Sequence, residues 1–250
     1  MRPAIAGFIV AVVITTAMDA TGYSVFSALP LIALTGLFWY LQKLDRKEIG
    51  LVWGPPGGYW LAIAYPLGVL GLIALIAFVA GAVDTSDTDW RKTFMNIGLM
   101  SSTGVLMVLI TEEGFFRGWL WGALKRAGKS DHYVLVWTSL AFAAWHISAI
   151  SLDTGFDVPA KEIPVYLFNA TILGLVWGML RMATGSVVVA AVCHSLWNGL
   201  DYPLFAFGEK VGALGIEATH IYGPEVGVVG VAINAAAAAL LYGRLIWNRK

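Results

Sequence analysis

The sequence predicts an all-α, polytopic membrane helix bundle with about eight transmembrane helices, folded as a single domain over residues 1–250. Its composition is 58% hydrophobic and only 13% charged, whereas soluble domains are about 45–50% apolar and about 25% charged. The apolar residues also fall into runs of roughly 20 residues, the length that crosses a bilayer core about 30 Å thick. These two observations exclude an ordinary soluble globule.

The apolar runs set the expected positions of the spans. We place them near residues 3–18, 23–42, 59–83, 100–126, 133–150, 164–181, 186–206 and 226–247. The first run has an alternative interpretation as a signal peptide, since Arg2 precedes it and small residues follow at Ala17–Ala20. No clear small-x-small cleavage site follows, so a first transmembrane span is the preferred interpretation.

Net charge and cysteine content restrict the possible partners. The formal net charge is zero, so no basic surplus indicates nucleic-acid binding. Membrane lipids are the expected surroundings. A single cysteine, Cys193, excludes an intrachain disulfide, and the fold must therefore depend on helix packing.

Positive residues concentrate in alternate loops, as the positive-inside rule requires for cytoplasmic termini. The basic group comprises Arg2, Lys43, Arg46, Lys47, Lys125, Arg126, Lys129, Arg181, Arg244, Arg249 and Lys250. The other loops are acidic or near neutral, around Asp84, Asp87, Asp89, Asp153, Asp157 and the stretch 208–224, with Arg91, Lys92, Lys161 and Lys210 as exceptions. Both termini are expected in the cytoplasm.

Three predicted spans within residues 100–206 carry polar side chains at helical spacing. They are Glu112, Glu113 and Arg117 in TEEGFFRG, Phe142 and His146 in AFAAWHIS, and His194 and Asn198 in CHSLWNGLD. Ionisable groups in hydrocarbon are costly, so such residues usually mark a functional site. At 1.5 Å per residue, Glu112, His146, His194 and Asn198 should lie roughly 13 to 20 Å deep, which favours one shared cavity.

Spacing within each helix assigns directions to these side chains. Consecutive residues such as Glu112 and Glu113 point about 100° apart, whereas Glu113 and Arg117 are separated by four positions and share a face. We therefore expect Glu113 to neutralise Arg117. Glu112 has no cation on its own face of the helix and remains available as a base.

The three motifs together resemble the CAAX protease and bacteriocin-processing (CPBP) family of intramembrane endopeptidases. The matching residues are EExxxR at Glu112, Glu113 and Arg117, FxxxH at Phe142 and His146, and HxxxN at His194 and Asn198. The family includes the Ras-converting CAAX prenyl endopeptidases and the bacterial Abi group. The resemblance therefore implies a peptide or protein substrate that could carry a lipid, and it suggests the plasma membrane of a prokaryote.

The resemblance also implies roles for these positions. Glu112 corresponds to the catalytic glutamate that activates water, with His146 beside it. His194 and Asn198 correspond to the pair that hydrogen-bonds the oxyanion, while Glu113 and Arg117 correspond to a structural or substrate-orienting pair. Phe142 would line the cavity, and no cofactor would be needed.

Other interpretations remain at the level of sequence. Two histidines and a glutamate also suit catalytic zinc, with Glu112, His146 and His194 as ligands, although HExxH is absent. A transporter or proton relay would also place Glu and His at mid-membrane, and discontinuous helices would support it. A non-catalytic immunity or scaffold protein would need no chemistry at Glu112. A thiol nucleophile at Cys193 is disfavoured because adjacent helix positions diverge, which separates it from His194.

Overall fold

The computed structural model describes residues 1–156, 158–206 and 210–247, and all regular structure in them is helical. A 3-10 turn at Ser24–Phe26 follows the first helix, and a π-helix at Gly114–Leu120 follows the fourth. The α-helices are α1 Arg2–Ala20, α2 Pro30–Gln42, α3 Pro56–Val79, α4 Trp90–Ile110, α5 Trp121–Arg126, α6 Asp131–Trp145, α7 Ile147–Ser151, α8 Ile163–Thr184, α9 Val187–Leu204, α10 Thr219–Tyr222 and α11 Val228–Trp247. The prediction of a polytopic all-α bundle is confirmed.

Seven helical segments are long and apolar enough to cross a membrane, within the residues described. The remaining predicted span, 186–206, corresponds to α9, which is 18 residues long but less apolar because it carries His194, Asn198 and Asp201. α9 packs against α3, α4 and α8. Its polar residues are therefore surrounded by protein, which is where a membrane protein tolerates them.

The predicted start of the fourth span near residue 100 is wrong, because α4 begins at Trp90. Asp89 caps the helix by accepting a hydrogen bond from the backbone N–H of Lys92 at 3.0 Å. The first turns of α4 are polar, so a search for apolar runs does not detect them. The helical segment Trp90–Arg126 is 37 residues long, or about 55 Å, so it exceeds the bilayer core or tilts strongly.

Two of the helices that carry motifs are interrupted beside the motif. The backbone breaks from α-helix at Thr111, with φ −100° and ψ −96°, and then winds as a π-helix from Gly114. A Cβ at Gly114 would lie 2.5 Å from the carbonyl oxygen of Leu109, so this turn requires glycine. The predicted span 133–150 is likewise divided into α6 and α7 at His146. π-helical segments are rare and frequently occur at functional sites.

The loops collect at two ends of the bundle. At one end, Arg126 hydrogen-bonds the carbonyl of Lys43 and Arg181 that of Glu48, which joins the three groups of basic residues. We call this the basic end. At the opposite end, Asp84 N–H donates to Leu214 at 3.0 Å, and Lys210 donates to Gly155 at 2.6 Å. The alternation of loop charge in the sequence therefore matches two separate ends of the fold.

Asp157, Gly208, Arg249 and Lys250, which contribute to the predicted charge pattern, lie outside the described residues.

Membrane orientation can be tested by labelling introduced cysteines. In a Cys193→Ala background, cysteines replacing Lys47 or Ser130 should react with an impermeant maleimide only after the cytoplasmic side is made accessible. Cysteines replacing Ser86 or Thr219 should react from outside intact cells. Reaction of any of the four from the wrong side would contradict the predicted orientation.

Candidate active site

One cavity of about 540 Å³ is lined by most of the predicted site residues. Its lining includes five of them: Glu112, Phe142, His146, His194 and Asn198. They come from three separate segments of the chain: the turn after α4, the end of α6, and α9. The sequence placed these groups at one depth, and the structure brings them to one cavity.

Glu113 and Arg117 lie behind the cavity wall as a buried ion pair. Arg117 Nη1 donates to Glu113 Oε1 at 2.9 Å, and both side chains are fully buried. Arg117 Nη2 donates to the carbonyl of Gly174 at 3.0 Å, and the guanidinium lies 4.6 Å from the ring centre of Phe142. The predicted pairing of Glu113 with Arg117 is therefore confirmed.

Glu113 also holds His194, which the sequence did not indicate. His194 Nδ1 lies 2.9 Å from the same Glu113 Oε1 that accepts from Arg117. A carboxylate paired with arginine is ionised and can only accept. His194 Nδ1 must therefore carry a hydrogen, and Nε2 is the atom free to serve the cavity.

His146 is fixed in the same way by a different acceptor. It ends α6, and its Nδ1 lies 2.9 Å from the carbonyl oxygen of Phe142, which can only accept. A neutral His146 therefore presents an unprotonated Nε2. Such a nitrogen can take a proton from water.

Glu112 differs from its neighbour Glu113 as the sequence predicted. Its side chain is 17% exposed, lines the cavity, and places Oε2 3.9 Å from His194 Nε2. This separation is longer than a hydrogen bond. The Glu112 carboxylate consequently retains capacity for another partner in the cavity.

Aromatic side chains fix both imidazoles. The His194 ring stacks on Trp177 with centroids 3.7 Å apart and an interplanar angle of 12°. The His146 ring packs edge-on against Phe142 at 4.5 Å and against Trp145 at 4.7 Å. Preorganised rings of this kind limit the rearrangement that a reaction requires.

Catalytic zinc, the alternative raised by the sequence, would draw on Glu112, His146 and His194. A catalytic zinc site needs three protein ligands about 2.0 to 2.2 Å from one point. Across the described ranges, no group of three or more His, Cys, Asp or Glu side chains is disposed to hold a metal ion. Glu112, His146 and His194 line one cavity, where Glu112 Oε2 lies 3.9 Å from His194 Nε2. Cys193 is fully buried outside the cavity lining.

Two buried acidic residues, one of them in the cavity lining, were not singled out by the sequence analysis. Glu225, in the segment before α11, is buried, lines the cavity and accepts from Trp197 Nε1 at 2.9 Å. Asp201 on α9 is fully buried, and neither carboxylate oxygen has a hydrogen-bond partner within the described part of the chain. The available signals were an acid on a predicted span and a lone glutamate in the apolar stretch YGPEVGVV.

Comparison with known proteins identifies the motif-bearing region. Residues 94–200 match the family described as Type II CAAX prenyl endopeptidase Rce1-like. The match contains all three polar motifs and runs from the first turns of α4 to residue 200 in α9. No match was found among curated proteins or among solved structures.

The match and the helices together indicate the class of protein. The seven long apolar helices indicate an integral membrane protein, and its motif-bearing region is similar to a family of proteases. Over residues 94–200, less than half of its length, the chain is similar to the Rce1-like family of CAAX endopeptidases.

Proposed function

We propose that this protein hydrolyses a peptide bond inside the membrane with a water molecule activated by Glu112 and His146. The observation that supports this proposal most directly is the cavity shared by Glu112, His146, His194 and Asn198. It brings a carboxylate and two imidazoles together with an amide donor. These are the groups that hydrolysis of an amide needs.

Each residue has a distinct part in the proposed reaction. Glu112 accepts one proton from water, whose oxygen attacks the scissile carbonyl carbon while the carbonyl oxygen becomes an oxyanion. Breakage of the C–N bond then transfers that proton from Glu112 to the leaving nitrogen. His146 Nε2 accepts a hydrogen bond from the attacking water and orients it.

The oxyanion would meet Asn198 Nδ2 and His194 Nε2. The Asn198 amide can donate at any pH. The Nδ1 hydrogen of His194 is already donated to Glu113, so the Nε2 atom of a neutral His194 ring could only accept a hydrogen bond. This geometry disfavours a neutral His194 as a donor to the oxyanion. We propose that His194 donates as an imidazolium with Glu113 as its counter-ion.

A transport or proton-relay function is the second candidate, because the helices carrying Glu112 and His146 are both interrupted at the site. Discontinuous helices are typical of transporters. The family match favours hydrolysis, since it covers these same interruptions. A transporter would move a solute across a vesicle membrane without cleaving peptide. Assays of solute flux and of peptide cleavage therefore distinguish the two functions.

The direct test uses purified protein in detergent with a panel of quenched peptides, with and without a C-terminal prenyl group. We expect time-dependent cleavage of at least one peptide by the wild type and none by the Glu112→Gln variant. A panel that remains intact with the folded wild-type protein would contradict the proposed hydrolysis. The pattern of cleavage would also show whether a lipid is needed.

Metal removal tests the choice of mechanism. Exhaustive dialysis against a strong chelator should leave the cleavage rate unchanged, because Glu112 and His146 are sufficient to activate water. Metal content would be measured on the same sample. Stoichiometric zinc, with activity lost on its removal and restored on its return, would contradict the proposal and indicate a metalloprotease.

A further inference from the structure

We infer that Glu225 is a further substrate-binding residue of the cavity, where its carboxylate accepts a hydrogen bond from a backbone N–H of the bound peptide. This inference rests on the proposed hydrolysis and names one contact by which the site holds its substrate. Glu225 lies beyond residues 94–200, so the family match carries no information on it. Three observations support the inference: the position of the carboxylate in the cavity, the way its segment is fixed, and the charge balance of the lining.

The Glu225 carboxylate lines the cavity and is held at one oxygen only. Its Oε1 accepts from Trp197 Nε1 at 2.9 Å, and Trp197 is fully buried on α9 next to Asn198. Within the described part of the chain, no other group donates to this carboxylate. A carboxylate can accept about four hydrogen bonds, so Glu225 Oε2 retains acceptor capacity. A molecule that occupies the cavity can supply the missing donor.

A buried network of side-chain amides fixes the backbone that carries Glu225. Asn169 on α8 donates to the carbonyls of Pro224 and Glu225 at 2.7 and 3.3 Å. Asn234 on α11 donates to Asn169 Oδ1 at 3.1 Å and accepts from Tyr65 of α3 at 2.6 Å. Both asparagines are fully buried. Three helices therefore hold an irregular segment of the kind that a membrane protein tolerates beside a cavity.

The network itself has a structural explanation, because it satisfies the carbonyl groups of a buried loop. That explanation does not extend to the Glu225 side chain. A buried carboxylate is costly unless it is fully paired, and Trp197 occupies only one of the two oxygens. A leucine at this position would fill the space without that cost. Acidic groups buried in a membrane protein usually serve its function.

The charge of the lining favours a neutral N–H over a cationic side chain as the donor. The lining contains two carboxylates, Glu112 and Glu225, and two cationic groups, Lys210 and the proposed imidazolium of His194. These formal charges cancel, so the cavity has no negative surplus to attract a lysine or arginine of the substrate. A peptide that enters the cavity has backbone N–H groups that lose their bonds to water and need acceptors. Glu225 provides one such acceptor.

Replacing single amides of the substrate by esters tests this contact directly. The starting peptide is one that the detergent-solubilised wild-type protein cleaves, with the cleaved bond located by mass spectrometry. In each member of a series, one backbone N–H near that bond, but not in it, is replaced by an ester oxygen. The kcat/KM of the all-amide peptide divided by that of the ester defines an ester ratio, after correction for hydrolysis without protein. The ratio is measured for the wild type, Glu225→Leu and Glu225→Gln.

One ester in the series should identify the N–H that Glu225 binds. At that position the wild type should give an ester ratio of about 10 to 100, the effect of losing a hydrogen bond to a charged group. Glu225→Leu should cleave the all-amide peptide more slowly by a similar factor and give an ester ratio of about 1, because leucine accepts no hydrogen bond. Glu225→Gln should give an intermediate ratio, since its neutral amide oxygen still accepts.

A matched control replaces another buried carboxylate. Asp201 lies on α9 one turn from Trp197 but outside the cavity lining, and Asp201→Asn should keep the wild-type ester ratio at every position. General damage to the site does not change the ratio, because each ratio compares two peptides on the same variant. Ester ratios in Glu225→Leu equal to those of the wild type at every position would overturn the inference. If Glu225→Leu does not fold, a ratio in Glu225→Gln below the wild-type value supports the inference, and an equal ratio overturns it.

Failure of this inference is distinguishable from failure of the proposed function. If the wild type cleaves a peptide and Glu112→Gln does not, the proposed hydrolysis is supported whatever the ester ratios are. Unchanged ester ratios in the Glu225 variants then overturn the substrate contact alone. If the wild type cleaves no peptide, the proposed function fails and the inference fails with it.

Discussion

Glu112→Gln and His146→Ala should each lower the rate of peptide hydrolysis by about 100- to 10,000-fold, the range that a positioned general base contributes. Glutamine retains the size of Glu112 but cannot accept the proton of water. Alanine removes the Nε2 that orients that water. Both side chains line the cavity, and the Phe142 and Trp145 rings that pack against His146 stay in place when it is replaced.

Two matched variants on the surface show whether a loss of activity comes from the site itself or from the replacement of any carboxylate or imidazole. Glu217→Gln and His220→Ala make the same replacements at exposed positions outside the cavity lining. Both should retain wild-type turnover, and all four variants should melt in detergent near the wild-type temperature. Wild-type turnover in Glu112→Gln or His146→Ala would remove that residue from the proposed mechanism.

The sequence predicted helix positions well where local signals define the ends. The short connection between α8 and α9 is an example, because Gly185 adopts φ +70° after α8 and Ser186 caps α9 by accepting from Val188 and Val189 N–H groups. Glycine after a helix and serine before the next are strong local signals. Predicted span 186–206 therefore corresponds closely to α9.

The interruption at His146 depends on tertiary contacts and could not be read locally. Ser148 in α7 donates to Asp19 at 2.7 Å, and Trp145 Nε1 donates to Thr15 at 2.8 Å, so α1 holds both sides of the break. The run AFAAWHISAIS is otherwise compatible with one continuous helix. Hydropathy and periodicity carry no information about these long-range bonds.

In the candidate site, too, contacts within one helix were predictable and contacts between helices were not. The i,i+4 spacing of Glu113 and Arg117 was sufficient to predict their ion pair, because it is a property of one helix. The bond between Glu113 and His194 joins residues 81 positions apart, and Glu225 reaches the cavity from a segment beyond α10. Both depend on how separate helices pack, which the spacing within each helix does not fix.

Glu113→Ala should lower the stability of the protein more than Glu112→Ala does. It removes the acceptor of Arg117 Nη1 and of His194 Nδ1 at once, and leaves a guanidinium buried without its counter-ion. Breaking a buried pair in this way costs on the order of 3 to 5 kcal/mol. Glu112→Ala removes a partly exposed side chain whose His194 contact is 3.9 Å long, so its effect on unfolding should be small.

The measurement is the melting temperature of each variant in the same detergent, with Glu113→Leu/Arg117→Met as a further variant. Removing both charges replaces a broken pair by apolar groups, so the double variant should recover much of the stability that Glu113→Ala loses. Equal melting of Glu112→Ala and Glu113→Ala would show that the roles of the two glutamates are exchanged. Glu113→Gln separates stability from activity, because its amide oxygen can still accept from His194 while the counter-ion of the imidazolium is gone. We therefore expect Glu113→Gln to fold better than Glu113→Ala and yet to hydrolyse peptide more slowly than the wild type.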